Sequence, residues 1–412
     1  MSLLKIPLRE LRLGHYVCLP IEWKSHPFLR NNFKIRSSDE LTVLKTLSLE
    51  WIDIDPEKSD LSGGRPSTPK NYGQPSATLK RTATPEALFQ TQQKNSQRKS
   101  ESSYYQCISQ YRDTFAQFNS DPGAIYGLLK DLITHVSQAV FNQTNQIPQV
   151  YLILNDKGSD VLFSHSMNVM GLVLLMAKIL HYSQKETETL ALAAMISDIG
   201  LLRIPHQIRS KSQPLTKAEL SFLQAHVGYS IDQLRKAQSI PNEVLTLVAV
   251  HHERRDGSGY PKGLTKDEFP RAAQILQVAD YYDWLINPFP WQKPLSPQLA
   301  IAFLLKNSPD KFNQVIVEAL ANALGIYPPG TIVELSNQQL AIVAGSNPQN
   351  RLKPYIKRFG SDRFIDDLSF EDLSMLELSI HHSVPSEQLP ESVTMLLANW
   401  RISYFIETES PG

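Results

Sequence analysis

Four histidines and two aspartates interrupt the apolar side of a long helical pattern, and they constrain this chain more than any other feature. From about Tyr104 to Phe303 apolar residues recur at spacings of three and four, with breaks, which predicts a mainly α-helical domain. In ETLALAAMISDIGLL (188–202), Leu190, Ala194 and Asp198 share one stripe, so the Asp198 carboxylate faces inward. His165 follows Val161 and Leu162 and precedes Val169 and Leu172, while His226 follows Phe222 and Leu223. His251 follows Val244, Leu247 and Val248; His252 stands four after Val248, and Asp280 four after Leu276. A buried carboxylate without a cation or several donors is very costly. Any one of these residues alone reads as a hydrogen-bonded core histidine or an arginine-paired carboxylate. All six together, on separate helices or helix ends, read as a metal site. The second histidine pair, His381-His382, stands in a polar tail and reads as surface.

The chain's 412 residues allow two or three domains, and its 41 basic residues balance 41 acidic ones. That balance argues against a general nucleic-acid binder but leaves room for a local anion site. Two cysteines give no disulfide framework and suit a reducing cytoplasm. The start MSLLKIPLRE lacks the apolar core of a signal peptide. The apolar stretch 169–180 contains Lys178 and is too short to span a bilayer. The expectation is a cytoplasmic protein without membrane insertion.

Four segments follow from the pattern. Residues 1–56 read as a small α+β domain, with strands in LRLGHYVCLP and WIDID and a helix in SSDELTVLKTLSLE. Residues 57–103, rich in Ser, Thr, Pro, Gln, Lys and Arg, read as a disordered linker. Residues 104–345 form the helical domain, closing with a short β-hairpin in GTIVELSNQQLAIVAGS. Residues 346–412 read as an extension with a few helical stretches.

With these residues in order, the chain resembles the HD-GYP family, a branch of the HD-domain metal hydrolases that acts on cyclic-di-GMP. The match rests on HHERRDGSGYPKGL (251–264), with supporting pieces HSMNV at His165, LTKAEL before His226, FPRAAQILQVADYYD through Asp280, and GIYPPGTIVEL (325–335). The first 55 residues resemble the small domain of unknown function that precedes some HD-GYP domains. The resemblance implies an HD-domain helical bundle and metal-assisted phosphodiester hydrolysis. It gives one Fe or Mn ion to His165, Asp198 and Asp280, and a neighbouring ion to Asp198, His226, His251 and His252. Asp198 would be the catalytic bridge, and Gly259, Tyr260, Pro261, Arg271 and Lys293 would meet the substrate. In some relatives the GYP loop also contacts diguanylate cyclase domains.

The sequence departs from that family pattern where chemistry is concentrated. Ser197 stands in place of the HD histidine, Leu201 in place of a lysine, and Val161 in place of a carboxylate. Phe289 stands near an arginine position, leaving Lys293 as the nearby cation. Serine is a poor ligand beside imidazole, and leucine neither donates nor carries charge. The expectation is one bound ion and impaired or lost hydrolysis, with an active cyclic-di-GMP phosphodiesterase yielding pGpG or GMP as the alternative.

Overall fold

A computed structural model describes residues 3–19, 32–35, 41, 44, 49, 51–59, 85–118, 123–142, 148–156, 161–308, 310–360, 370–398 and 400–406. The chain divides into two units, 1–81 and 82–412. In the first, strands β1 (Leu4–Pro7), β2 (Tyr16–Cys18), β3 (Asn32–Lys34) and β4 (Trp51–Ile54) form an antiparallel sheet of order β1-β4-β2-β3. Val17, Ile35, Ile52 and Ile54 fill its core, as the alternation in WIDID predicts. The helix expected over 37–50 lies almost wholly outside the described residues; 41 and 44, which are described, are helical.

The expected linker needs correction at both ends. Ser59 donates to the Asp55 carbonyl and accepts from the Tyr16 amide, so 57–59 belong to the first unit. At the other end, α1 runs from Pro85 to Gln117. Its Glu, Gln, Lys and Arg residues are good helix formers, although few are apolar. Low apolar content was therefore a poor guide to backbone structure over 85–103. Residues 60–84 lie outside the described residues.

The second unit contains the predicted helices. They are α2 (Ala124–Phe141), α3 (Val161–Ile179), α4 (Gln184–Ile196), α5 (His206–Arg209), α6 (Lys217–Gln224), α7 (His226–Lys236), α8 (Asn242–Val250), α9 (Arg271–Ile286), α10 (Pro297–Asn307), α11 (Gln314–Leu324) and α12 (Glu391–Leu397). Helix α3 is apolar enough to cross a membrane by composition, yet every residue from Leu162 to Ala177 is buried within the unit. It packs against α4, α9 and α11, and each fully buried Leu or Val side chain contributes about 1.5–3 kcal/mol. Capping boxes at Ser183/Glu186 and Thr216/Glu219 start α4 and α6.

The expected hairpin is present as β6 (Ile332–Leu335) and β7 (Leu340–Gly345), but it is part of a seven-stranded antiparallel sheet. The other strands are β5 (Val150–Asp156), β8 (Tyr355–Arg358), β9 (Phe370–Asp372), β10 (Ile380–Ser383) and β11 (Trp400–Ile406). The order is β10-β6-β7-β5-β11, with β8 beside β7 and β9 beside β8. The tail expected as an extension with a few helical stretches has helix α12 and two short 3-10 turns, 373–375 and 386–388, and it also contributes four strands to this sheet. β11 pairs with β5 residue for residue, from Trp400 opposite Asp156 to Ile406 opposite Val150. A short apolar run such as WRISYFI has no periodicity that separates a strand from a buried helix turn.

Candidate metal centre

Helix ends carry the inward-facing imidazoles, and the reason is local. The last carbonyls of a helix lack partners within it. The His226 Nδ1–H, just past α6, donates to the Leu223 carbonyl at 2.8 Å. The His251 Nδ1–H, just past α8, donates to the Val248 carbonyl at 2.6 Å. Each bond fixes the tautomer and leaves Nε2 as the free ligand atom. Asp198 stands between α4 and the following tight turn (199–203), where Gly200 passes against α7.

These elements bring the sequence-derived residues together. His165 Nε2 lies 3.0 Å from Asp198 Oδ2 and 3.2 Å from Asp280 Oδ1. Asp198 Oδ1 lies 3.1 Å from His226 Nε2 and 3.8 Å from His251 Nε2. His252 Nδ1 lies 3.3 Å from Asp280 Oδ2, and its Nε2 lies 3.2 Å from His226 Nε2. Two ligand sets emerge, Asp198/His226/His251/His252 and His165/Asp198/Asp280, with Asp198 common to both. All six residues are buried.

The donor set fits a divalent ion. Asp198 Oδ1, Asp280 Oδ2 and His251 Nε2 are buried without a hydrogen-bond partner. The first two have imidazole nitrogens at 3.1 and 3.3 Å, but at angles unsuited to hydrogen bonding. Ligand atoms about 2.0–2.2 Å from one ion lie roughly 3.0–3.5 Å from each other, which is the spacing seen here. Burial opposes charge on Asp198, but His165, His226 and His251 outweigh it and hold the carboxyl well below its ordinary range. Asp280 is likewise held low, burial being outweighed by His252 and His165. Burial pushes His252 down to about 3, which keeps it neutral, as a metal ligand would have to be.

Several contributors escaped the sequence reading. Asp283 Oδ2 accepts from His165 Nδ1 at 2.7 Å, and its Oδ1 accepts from the amides of Asn168 (2.7 Å) and Asn287 (3.0 Å). Asn168 and Asn287 also donate to the Ile402 carbonyl of β11, at 3.0 and 2.7 Å. Asp283 follows Asp280 by three, so the spacing signal existed in the sequence. The asparagines sit in apolar runs and carried no comparable signal. We expect Asp283→Asn to weaken metal binding by the His165/Asp198/Asp280 set about 10–100-fold, because its amide would face two donor amides and lose the charge behind His165. Competition against a chromophoric chelator measures this; unchanged affinity would remove His165 from the ligand set.

The loop after the histidine pair is held from beneath by Glu253. That buried carboxylate accepts from the Lys262 and Leu264 amides, at 2.8 and 2.9 Å. Any Cβ on Gly259 would lie 2.4 Å from the Arg254 amide nitrogen, so only glycine fits. Tyr260 stacks on His252 with centroids 4.6 Å apart, and Pro261 is exposed. Arg254 lies over the Tyr281 and Phe312 rings and donates to the Glu253 carbonyl. Arg271 is not brought to the centre: it is exposed, nine residues before Asp280, about 13 Å along α9. Lys293 is exposed beyond the end of α9.

The departures are equally well defined. Ser197 Oγ donates to the Ala193 carbonyl at 2.6 Å, back along its own helix. Leu201 is buried in an apolar cluster with Leu162, Ile204 and Leu223, flanked by Trp284, Phe289 and Trp291. The three aromatic rings stack in series at 4.4 and 4.5 Å, and Trp284 stacks on His165 at 4.2 Å.

Comparison with known proteins agrees with this architecture. Residues 128–316 match the HD domain family, and residues 3–124 match a domain of unknown function (DUF3391). The chain is 27 % identical over 371 residues to the cyclic di-GMP phosphodiesterase PA4108 of Pseudomonas aeruginosa, covering 87 % of this chain and 86 % of that protein. It is 32 % identical over 166 residues to the cyclic di-GMP phosphodiesterase response regulator RpfG of Xanthomonas campestris, covering 40 % of this chain and 43 % of that one. Among solved structures, an HD-GYP-type protein of Bdellovibrio bacteriovorus, Bd1817, aligns with a TM-score of 0.44 and 16 % identity, over 78 % of this chain and 99 % of that chain. The chain thus matches the HD domain family over 128–316, with a DUF3391 match before it, and is similar to cyclic di-GMP phosphodiesterases.

Proposed function

We propose that this is a cytoplasmic cyclic-di-GMP signalling protein that binds a divalent ion, Fe or Mn, and the dinucleotide, with hydrolysis impaired or lost. The observation that carries the reading is the pairing of a well-formed ligand set with apolar side chains where the family pattern has phosphate-directed cations. His226, His251 and His252 converge on Asp198, whereas Ser197 turns away from the centre. We assign one ion per chain to that first set. A divalent ion bound there supplies a Lewis acid and lowers the pKa of a bound water.

The chain's own residues then divide the work. Asp198 offers one oxygen to each ligand set, and Asp283 aims His165 at the centre. Tyr260, on the loop held by Glu253, presents its ring beside His252 for a ligand. Both faces of Trp284 and Phe289 are covered within the His165–Trp284–Phe289–Trp291 series, so Trp291 at its end is the ring that offers a π face suited to a purine base, and base stacking on aromatics contributes about 1–3 kcal/mol per base. It offers no charge to a phosphate, so binding is favoured over turnover. The same loop is the surface we assign to a diguanylate cyclase partner.

The test is incubation of the purified protein with Mn or Fe and cyclic-di-GMP, following pGpG and GMP. Binding without product is the expected result, with about one ion per chain by elemental analysis. Ser197→His should raise the metal content while hydrolysis stays low. Adding Leu201→Lys and Phe289→Arg should then raise hydrolysis by 10-fold or more. Wild-type turnover that the single change does not improve would sink the argument from missing ligands and leave an active phosphodiesterase.

A further inference from the structure

Away from the buried centre, β10 and β6 carry a second arrangement of ligand atoms. β10 is the edge strand of the large sheet, and its pairing with β6 slips between Ile380 and His382. Ile380 opposes Leu335 and His382 opposes Glu334, which leaves His381 as the extra residue of a bulge. Successive side chains of a regular strand point to opposite faces, so two adjacent histidines could not both meet one partner. The bulge removes that restriction. His381 Nδ1 lies 3.1 Å from His382 Nδ1 and 3.4 Å from Glu334 Oε1. Hydrogen bonds on both sides hold the bulge in place, from the Ser336 amide to the Ser379 carbonyl and from the Val384 amide to the Ile332 carbonyl, each 2.9 Å.

We infer that Glu334, His381 and His382 form a solvent-facing site for a borderline divalent transition-metal ion of the zinc class. Imidazole and carboxylate ligands about 2.0–2.1 Å from a tetrahedral zinc lie roughly 3.3–3.5 Å apart, close to the two distances here. Two imidazoles and a carboxylate are the three-ligand set that leaves zinc an open fourth position. Magnesium and calcium, which prefer all-oxygen surroundings, fit it poorly. Both imidazoles are exposed, so the fourth position faces solvent and can take water or a donor atom from another molecule. The site shares no residue with the buried centre and does not depend on the activity assigned to it.

Equilibrium dialysis of untagged, chelator-stripped full chain against zinc tests the inference. The His381→Ala/His382→Ala double variant should bind one ion fewer per chain than wild type. Glu334→Gln should weaken that same ion by 10-fold or more. Circular dichroism and the thermal midpoint in chelator should be unchanged, because these side chains are exposed or half-exposed, the histidines on an edge strand. Equal zinc stoichiometry and affinity in wild type and both variants would overturn the site. So would loss of an ion only alongside loss of fold in both.

Discussion

Replacing Asp198 with asparagine should strip both ligand sets of the core at once. Its two carboxylate oxygens are the only feature common to the sets, and they face His165, His226 and His251. An amide of the same shape keeps the volume but removes the charge that balances three imidazoles. Bound Fe or Mn should fall below about a tenth of the wild-type content. The ion-free protein should lose up to about 3–5 kcal/mol, the usual cost of removing one partner from a buried ionic group. Elemental analysis and urea unfolding in chelator read the two effects separately. Wild-type metal content in Asp198→Asn would mean that the ion is centred elsewhere.

Gly200→Ala should damage the same centre without touching a ligand. A Cβ at this position would lie 2.1 Å from the His226 carbonyl oxygen and 2.6 Å from the Ser230 amide nitrogen. Both are backbone atoms, so α7 must move as a body, taking His226 away from Asp198. It would also strain the chain of bonds from the Gly200 amide to Ser230 Oγ and from there to the Ser197 carbonyl, 2.8 and 2.6 Å long. Overpacking of this kind costs about 1–3 kcal/mol. Metal affinity should drop by 10-fold or more, measured by chelator competition. Gly228→Ala, on α7 itself with nothing within 4 Å of the added methyl, is the control and should keep both metal and stability. Equal behaviour of the two variants would dissociate the turn at Gly200 from ligand placement.

The candidate ligand residues were legible because burying charge is expensive, and an Asp or His on an apolar stripe advertises that cost. The same logic made the helices legible from α3 to α9. The sheet was harder to read. β5 and β11 are short, buried on both sides and separated by the whole helical domain, so neither alternation nor proximity marked them. Asn168 and Asn287 were missed for a related reason. An uncharged amide in an apolar run costs little enough to pass as a tolerated core polar group, and its partner, the Ile402 carbonyl, is backbone. Phe289 drew notice only as standing near an arginine position and Trp284 not at all, and their stacking in series is a property of the loop's path after α9.

The bond from Asn168 to Ile402 spans 234 residues of chain. At synthesis rates of about 5–20 residues per second, roughly 10–50 seconds separate the two partners' appearance during translation. The ligands from His165 to Asp280 are therefore made well before the strand that steadies Asp283. Until β11 docks, the asparagine pair lacks its backbone partner, and the nascent helices hold an unfinished centre with several imidazoles close together. Ion capture before that moment would meet a looser cage that discriminates less among metals. The position of β11 in the sequence thus means that the surroundings of Asp283 are completed only after the rest of the candidate centre has been made.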